Sequence, residues 1–343
     1  MNTSTTPAEP TGLLAAAHRR REPLLDALHG EGTDAYRLFH GSVEGAPGLT
    51  VDRYGDLLLV QSFHQRLDDD ALAHLQACYA QILPGLDCVY NDRSGPHSRI
   101  VNALPAEQQR LAEQPRMSTE MGVKYRIRAR HAGQDPWLFL DLRAARRQVM
   151  TLAPGRTVLN LFAYTCGVGI AAAKAGASFV MNVDFAQSSL DVGRENAGLN
   201  DLPIRPRFVR SDVFPAIRQL AGLGQSNRVR GRKLPPFPPL EPRQFDLVFL
   251  DPPRYAKSPF GVVDLVHDYP ALFKPALLAT APGGTLMCCN NVAQVDRAAW
   301  LDQLERSARK AGRPIQSVQW IAPDADFPSF DDNPPLKVVA LQV

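Results

Sequence analysis

From Trp137 onward the chain repeats one grammar: a short run rich in β-branched and aromatic residues, then a stretch of helical periodicity, then another run. The runs are TVLNLF (157–162), SFVMNVD (178–184), RFVRSD (207–212), FDLVFLD (245–251) and GTLMCCN (284–290), with a weaker one at 315–321 and a last, LKVVALQV, at 336–343. Strands this uniformly apolar are buried on both faces. Alternating them with helices predicts a parallel sheet covered on each side. The pattern therefore places an α/β domain with a seven-stranded, mostly parallel sheet over 135–343. One segment breaks the grammar: GLGQSNRVRGRKLPPFPPLEPR (222–243) carries five prolines, which no helix interior tolerates, and is expected to be a basic, mobile surface insertion.

The chain before residue 135 reads differently. Residues 1–12 have almost no large apolar side chains and are expected to stay disordered. GLTVDRYGDLLLVQSF (48–63) predicts two strands around Tyr54-Gly55-Asp56, where glycine supplies the positive φ of a tight turn. A helix is expected over 69–82. Between Gly122 and Arg130, Val123, Tyr125, Ile127 and Ala129 alternate with Lys124, Arg126, Arg128 and Arg130, so one strand face is apolar and the other cationic. Together these predict a smaller α+β domain over 13–134, assigned to substrate recognition.

Composition narrows the partners rather than naming one. Lys+Arg 38 against Asp+Glu 35 leaves a net charge of +3, so a nucleic-acid-binding surface must be local. The cysteines, Cys78, Cys88, Cys166, Cys288 and Cys289, show no CxxC spacing, and the histidines no HxxxH pairing, so no metal is expected. Unpaired cysteines fit a reducing compartment. Leu13–Ala17 is too short for a signal peptide and no run reaches a membrane span, so a cytoplasmic location is expected.

In an open parallel sheet, ligands bind beyond the carboxyl ends of the strands. The first run there ends in NLFAYTCGVG (160–169), a turn whose Gly167 and Gly169 let backbone approach a ligand. The next runs end in Asp184, in Asp212 and in Asp251-Pro252-Pro253-Arg254-Tyr255. A carboxylate after the second strand can accept hydrogen bonds from vicinal ribose hydroxyls, and one after the third can meet an adenine amino group. A nicotinamide dinucleotide would use the first carboxylate too, but the turn offers GxG rather than GxGxxG, and a GxG alone also serves close strand-to-helix packing. The two prolines after Asp251 fix a rigid turn that holds Tyr255 at the lip of the sheet, where it could stack on a base or simply pack.

The set LNLFAYTCGVG, NVD, RSD, FLDPPRY and APGGTLMCCNN resembles the class I S-adenosylmethionine-dependent methyltransferases, whose sheet is Rossmann-like. More narrowly, it resembles the large-subunit (23S) ribosomal RNA methyltransferases. FLDLR (139–143) and HGSVEGAPGLTVDRYGD (40–56) match further segments of that family, so the likeness spans residues 34–343. The resemblance implies S-adenosyl-L-methionine as cofactor, with Asp184 on the ribose, Asp212 beside adenine and Asp251 where cofactor meets target. Asp141 and the turn residues Asn160, Phe162, Tyr164, Thr165 and Gly167 would complete the cofactor pocket. Two departures stand out. With only about thirty residues ahead of the likeness, the family's usual N-terminal RNA-binding domain of the PUA type is expected to be absent and RNA recognition to come from elsewhere, and Cys166 stands where the resemblance implies glycine.

The atom methylated follows from what comes after the fifth strand. Methylating C5 of a pyrimidine requires a thiolate to add to C6, whereas methylating a nitrogen requires only a positioned lone pair. In cytosine-C5 members the nucleophilic cysteine falls at the position of Asn291 in this sequence. The Asn290-Asn291 ending resembles members that methylate N7 of guanine, as does the FLDLRAARR segment (139–147). Guanine N7 is therefore the expected target, with Asp251, Pro252, Tyr255, Asn290 and Asn291 at the reacting centre. Cytosine C5 through Cys289 is the alternative, with Cys288 and Cys289 otherwise continuing an apolar strand. A methyltransferase for protein or small molecules, or a cofactor-binding protein without catalysis, is a third possibility of another class.

RNA contacts are expected from Lys124, Arg126, Arg128 and Arg130 and from Arg228, Arg230, Arg232 and Lys233 of the insertion. Arg143, Arg146 and Arg147 extend the first basic stretch. Such charges position a nucleic acid without selecting its sequence.

Overall fold

The computed structural model describes residues 10–95, 104–131, 136–229, 232–331 and 333–343. The chain divides into two compact units, one holding the residues up to Leu140 together with Asp324–Pro328, the other Asp141–Pro323 with Ser329–Val343. The sequence pattern put the division near 135 and did not anticipate the return of Asp324–Pro328 to the first unit.

The first unit opens with α1 (Pro10–Gly30), so residues 10–12 of the expected disordered tail are helical, while 1–9 lie outside the described residues. Then come β1 (Ala35–His40), a single turn α2 (Gly41–Glu44), β2 (Leu49–Tyr54), β3 (Leu57–Ser62), α3 (Asp69–Ile82) and β4 (Asp87–Asp92). β1, β2 and β3 run antiparallel, and α3 is the crossover that lets β4 join β3 in parallel. Leu14, Ala17, Leu25 and Leu28 of α1 and Leu75 and Tyr79 of α3 pack on Tyr36, Leu38, Val51, Leu58 and Val60 of this sheet. Gly55 turns the β2–β3 hairpin at φ +61, and a Cβ there would lie 2.5 Å from the carbonyl oxygen of Met117. α4 (Ala106–Glu113) precedes the hairpin of β5 (Arg116–Glu120) and β6 (Val123–Ile127). Val123, Tyr125, Ile127 and Ala129 are buried as the alternation predicts. On the opposite face Lys124 is exposed, but Arg126, Arg128 and Arg130 are half-buried, and Arg128 lies 5.2 Å from the centroid of Trp137.

The second unit contains α5 (Arg143–Leu152), β7 (Thr157–Leu161), α6 (Gly167–Lys174), β8 (Phe179–Asp184), α7 (Gln187–Gly198), β9 (Arg207–Arg210) and α8 (Val213–Leu220). It continues with β10 (Arg228–Val229), β11 (Arg232–Lys233), β12 (Phe245–Leu250), β13 (Tyr255–Ser258), β14 (Gly261–Asp264), α9 (Pro270–Leu278), β15 (Thr280–Asn290), α10 (Arg297–Lys310), β16 (Ser317–Ile321) and β17 (Lys337–Gln342). Seven strands form one sheet in the order β16-β17-β15-β12-β7-β8-β9, with β17 antiparallel to both neighbours. The expected α/β class and mostly parallel seven-stranded sheet are both present. One face packs against α8, α9 and α10 through Val213, Ile217, Leu272, Phe273, Trp300 and Leu304, the other against α5 and α6 through Ala145, Val149, Val168 and Ala172. Strand order reverses between β7 and β12, which opens the crevice where such sheets bind ligands.

Among the described residues no helix is long and apolar enough to cross a membrane. From Leu234 to Leu240 the insertion is docked rather than loose. Leu234 and Leu240 are buried, and the Gln219 amide donates to the Pro238 carbonyl and accepts from the Leu240 N–H.

Candidate active site

The turn after β7 carries three non-glycine residues in the left-handed region, Phe162 (φ 56), Tyr164 (φ 48) and Cys166 (φ 63). Each costs roughly 1–2 kcal/mol, and such strain gathers where a backbone is shaped for a ligand. Neighbouring elements hold it in place. The Ala163 N–H donates to the Val183 carbonyl at 3.0 Å, the Tyr164 N–H to the Asp184 carboxylate at 2.8 Å, and the Asn196 amide to the Thr165 carbonyl at 3.1 Å.

Asp184 ends β8 and is 5% exposed. Burial pushes its pKa up against the backbone N–H groups of Ala186, Tyr164 and Phe185. One oxygen accepts from Tyr164 and the other from Ala186, and with Phe185 as a third donor the carboxylate keeps acceptor capacity for one more. Phe185, the next residue, is 65% exposed. The sequence reading passed over this aromatic, although its place directly after the carboxylate was the available signal. Asp212 caps α8 by accepting the Phe214 N–H at 2.9 Å. Its second oxygen is not part of that cap.

Not every expected pocket residue presents its side chain there. Asn160 is buried and donates to Asn182 on the paired strand at 2.9 Å, beneath Gly169, where an added Cβ would fall 1.9 Å from the Asn182 oxygen. Its amide fixes the sheet-to-helix packing. Thr165 is 2% exposed, so its side chain too is part of the turn's interior. Phe162, Tyr164 and Gly167 are partly exposed.

Asp251 follows β12. Leu250 pairs with Cys288 of β15, so Asp251 stands level with Cys289, and each bears on the other's ionisation. Desolvation raises the Asp251 pKa to about 7, helped by the charge of Asp141 and opposed by Cys289 and Arg146. The proximity of Asp141 and Asp251 was not foreseen. Arg143 and Arg146 are 0% and 2% exposed, which removes both from the basic surface expected of them. Alternation along β15 sends Cys289 toward α5 and Cys288 toward Tyr269. Burial raises both thiols well above their ordinary range.

Asn290 is fully buried. Its amide donates to the Leu265 carbonyl at 3.2 Å and accepts the Val292 N–H at 3.1 Å, so it ends the strand and has no edge for a base, contrary to expectation. Asn291 is exposed. Pro252 is buried, and Tyr255 is 54% exposed on β13.

A reversing strand order, a strained turn and carboxylates at successive strand ends define a class I methyltransferase fold. The chain belongs to the S-adenosylmethionine-dependent methyltransferase family, whose profile matches residues 36–342. It is 31% identical over 325 residues to the ribosomal RNA large subunit methyltransferase I of Aeromonas salmonicida, covering 92% of this chain and 74% of the relative. The protein of the same name from Serratia proteamaculans is 30% identical, with 89% and 72% covered. Among solved structures, a putative methyltransferase complexed with SAH aligns with a TM-score of 0.77 at 23% identity, covering 100% of this chain and 83% of the other. A putative S-adenosylmethionine-dependent methyltransferase from Streptococcus mutans aligns at 0.76 and 22%, with the same coverage. Both share the fold.

The residues present fit the cofactor by their chemistry: a buried carboxylate with spare acceptor capacity at Asp184, an exposed aromatic beside it, and a turn of left-handed backbone. The enzyme is an S-adenosylmethionine-dependent methyltransferase. The cofactor supplies an electrophilic methyl group on a sulfonium.

Proposed function

We propose that the protein methylates large-subunit ribosomal RNA at C5 of a cytosine, with Cys289 as nucleophile and Asp251 as its proton acceptor. The RNA substrate is supported by the names of the relatives that match most of the chain. The choice of atom is carried by one observation, the strand register that sets the Cys289 thiol level with the Asp251 carboxylate. A guanine-N7 target was expected from the Asn-Asn ending. That argument loses Asn290, whose amide is taken up by the Leu265 carbonyl and the Val292 N–H.

In this reading Asp251 takes the Cys289 proton as sulfur bonds to C6, which makes C5 electron-rich enough to accept the methyl group. Water then takes the C5 proton, which re-forms the C5–C6 double bond as the C6–S bond breaks, and the departing sulfur recovers its proton from Asp251. Since burial disfavours a free thiolate, proton transfer to Asp251 accompanies attack. Asp184 holds the ribose and Asp212 lies beside the adenine of the cofactor.

A second reading, methylation of a guanine nitrogen, is favoured by the complete burial of Cys289 beside an exposed Asn291. Mass spectrometry of nucleosides from ribosomal RNA, with and without the gene, separates the two. Loss of 5-methylcytidine and inactivity of Cys289→Ser support the first. Loss of 7-methylguanosine with an active Cys289→Ser overturns it.

A further inference from the structure

We infer that Arg228 and residues 233–243, described parts of the 222–243 insertion, form with the β13–β14 hairpin one composite arm that binds single-stranded RNA beside Asp251. This rests on the RNA reading above and names the form of RNA the enzyme takes.

The hairpin begins four residues after Asp251. Its register pairs Lys257 with Val262 and Ala256 with Val263. Val263 is buried and Ala256 packs against the core, so Tyr255, Lys257 and Val262 share the opposite, outward face with Asp264, whose carboxylate is engaged by the Val266 and His267 N–H groups and the His267 ring. Tyr255 is 54% and Val262 43% exposed, and the Lys257 ammonium lies 5.7 Å from the Tyr255 centroid. An outward aromatic with a cation beside it suits a base stacked on the ring and a phosphate held next to it. A duplex keeps its bases stacked on each other and offers no such face, so the hairpin selects an unpaired strand.

The insertion is tied to the hairpin's tip. Phe237 meets Phe260 edge to face, with centroids 5.6 Å apart and planes at 82°. The tip also rests on α8, because a Cβ on Gly261 would come within 2.9 Å of the Phe214 ring. Within the insertion Arg228 pairs directly with Lys233, which sets two cations opposite each other on one face. Like charges facing across a ladder destabilise it, and an anion between them reverses the sign. Phosphate is the anion an RNA strand supplies. Arg230 and the side chain of Arg232 lie outside the described residues.

The test uses the full chain, a short fluorescent single-stranded RNA and its duplex. Tyr255→Ala should weaken single-strand binding about tenfold, with Tyr255→Phe restoring it. Arg228→Glu with Lys233→Glu should weaken binding and flatten its salt dependence, by about 0.7 in log–log slope for each phosphate no longer neutralised. Phe260→Ala should reproduce part of that effect, because the insertion is no longer held to the hairpin. Calorimetric affinity for S-adenosylmethionine should be unchanged throughout, which separates these effects from misfolding. Duplex binding as tight as single-strand binding overturns the inference, as do unchanged RNA affinities in Tyr255→Ala and in the charge-reversed variant. A wild-type chain that binds the single strand yet methylates no RNA refutes the proposed function and leaves the arm standing.

Discussion

A Cβ added to Gly193 of α7 would lie 2.6 Å from the sulfur of Cys166, so the helix glycine makes room for the cysteine that opens α6. Cys166 is fully buried at φ +63, a backbone region that favours glycine. The strained turn tolerates a side chain there because the facing helix gave one up.

Gly193→Ala should therefore destabilise the protein by ~1–3 kcal/mol, as overpacking does. Adding Cys166→Gly should recover most of that loss, since it removes both the clash and the left-handed penalty. Thermal melts of the two single variants and the double complete the cycle, and additive losses would disprove the fit.

Asp251 carries a conflict between stability and activity. Its pKa is raised to about 7 from an ordinary value of 3.8, so the folded state holds a proton that the unfolded chain releases earlier. The stability this contributes is full below the unfolded value and is lost as pH rises through 7. Asp251→Asn should melt higher than wild type above pH 7, by on the order of 1–4 kcal/mol, while methylation is abolished. The wild-type rate should rise with pH through the same midpoint if the ionised carboxylate takes the thiol proton. A variant that melts lower at pH 8 would contradict the desolvation argument.

Glu44 and Arg21 form a buried pair in the first unit, with side chains 5% and 4% exposed. Burial pushes the Glu44 pKa up, but hydrogen bonds from Arg21, the His40 N–H and Arg20 outweigh it and hold the carboxyl below its ordinary value. The pair therefore contributes stability above the unfolded pKa, and that contribution is lost as pH falls through the folded one. Glu44→Gln leaves a buried guanidinium without its counter-charge and should cost ~3–5 kcal/mol at neutral pH. The loss should shrink in acid, as equilibrium denaturation at several pH values would reveal.

The sheet was legible because each strand's burial is written into its composition. TVLNLF, FDLVFLD and their neighbours have no other way to hide their side chains, and the carboxylates sit where those runs stop. What escaped depends on pairing between distant residues. The meeting of Asp141 with Asp251 needs the fold to bring two segments together, and the return of Asp324–Pro328 to the first unit rests on the Arg37 N–H reaching Asp326 at 2.9 Å. α1 was missed because its weak apolar pattern is interrupted by His18-Arg19-Arg20-Arg21, of which Arg21 is buried only through its pairing with Glu44. Charge counts likewise said nothing of Arg143 and Arg146 turning inward.

Asn290 and Asn291 adjoin in sequence and part in role. Asn290 bridges the Leu265 carbonyl and the Val292 N–H from inside the protein, so Asn290→Ala strands both groups and should cost ~2–4 kcal/mol. The loop after β15 should loosen with it, because Lys337 also anchors that loop by donating to the Val292 carbonyl at 3.1 Å. Asn291 is exposed, and Asn291→Ala should leave the melting temperature within a degree or so of wild type, as surface substitutions do. Any effect it has on methylation then reports on how the substrate is held. With a cytosine-C5 target, the Asn291→Ala rate should stay close to wild type while Cys289→Ser loses turnover. If Asn291→Ala instead abolishes methylation and Cys289→Ser does not, the base edge is read by the amide and the nitrogen target is the right one.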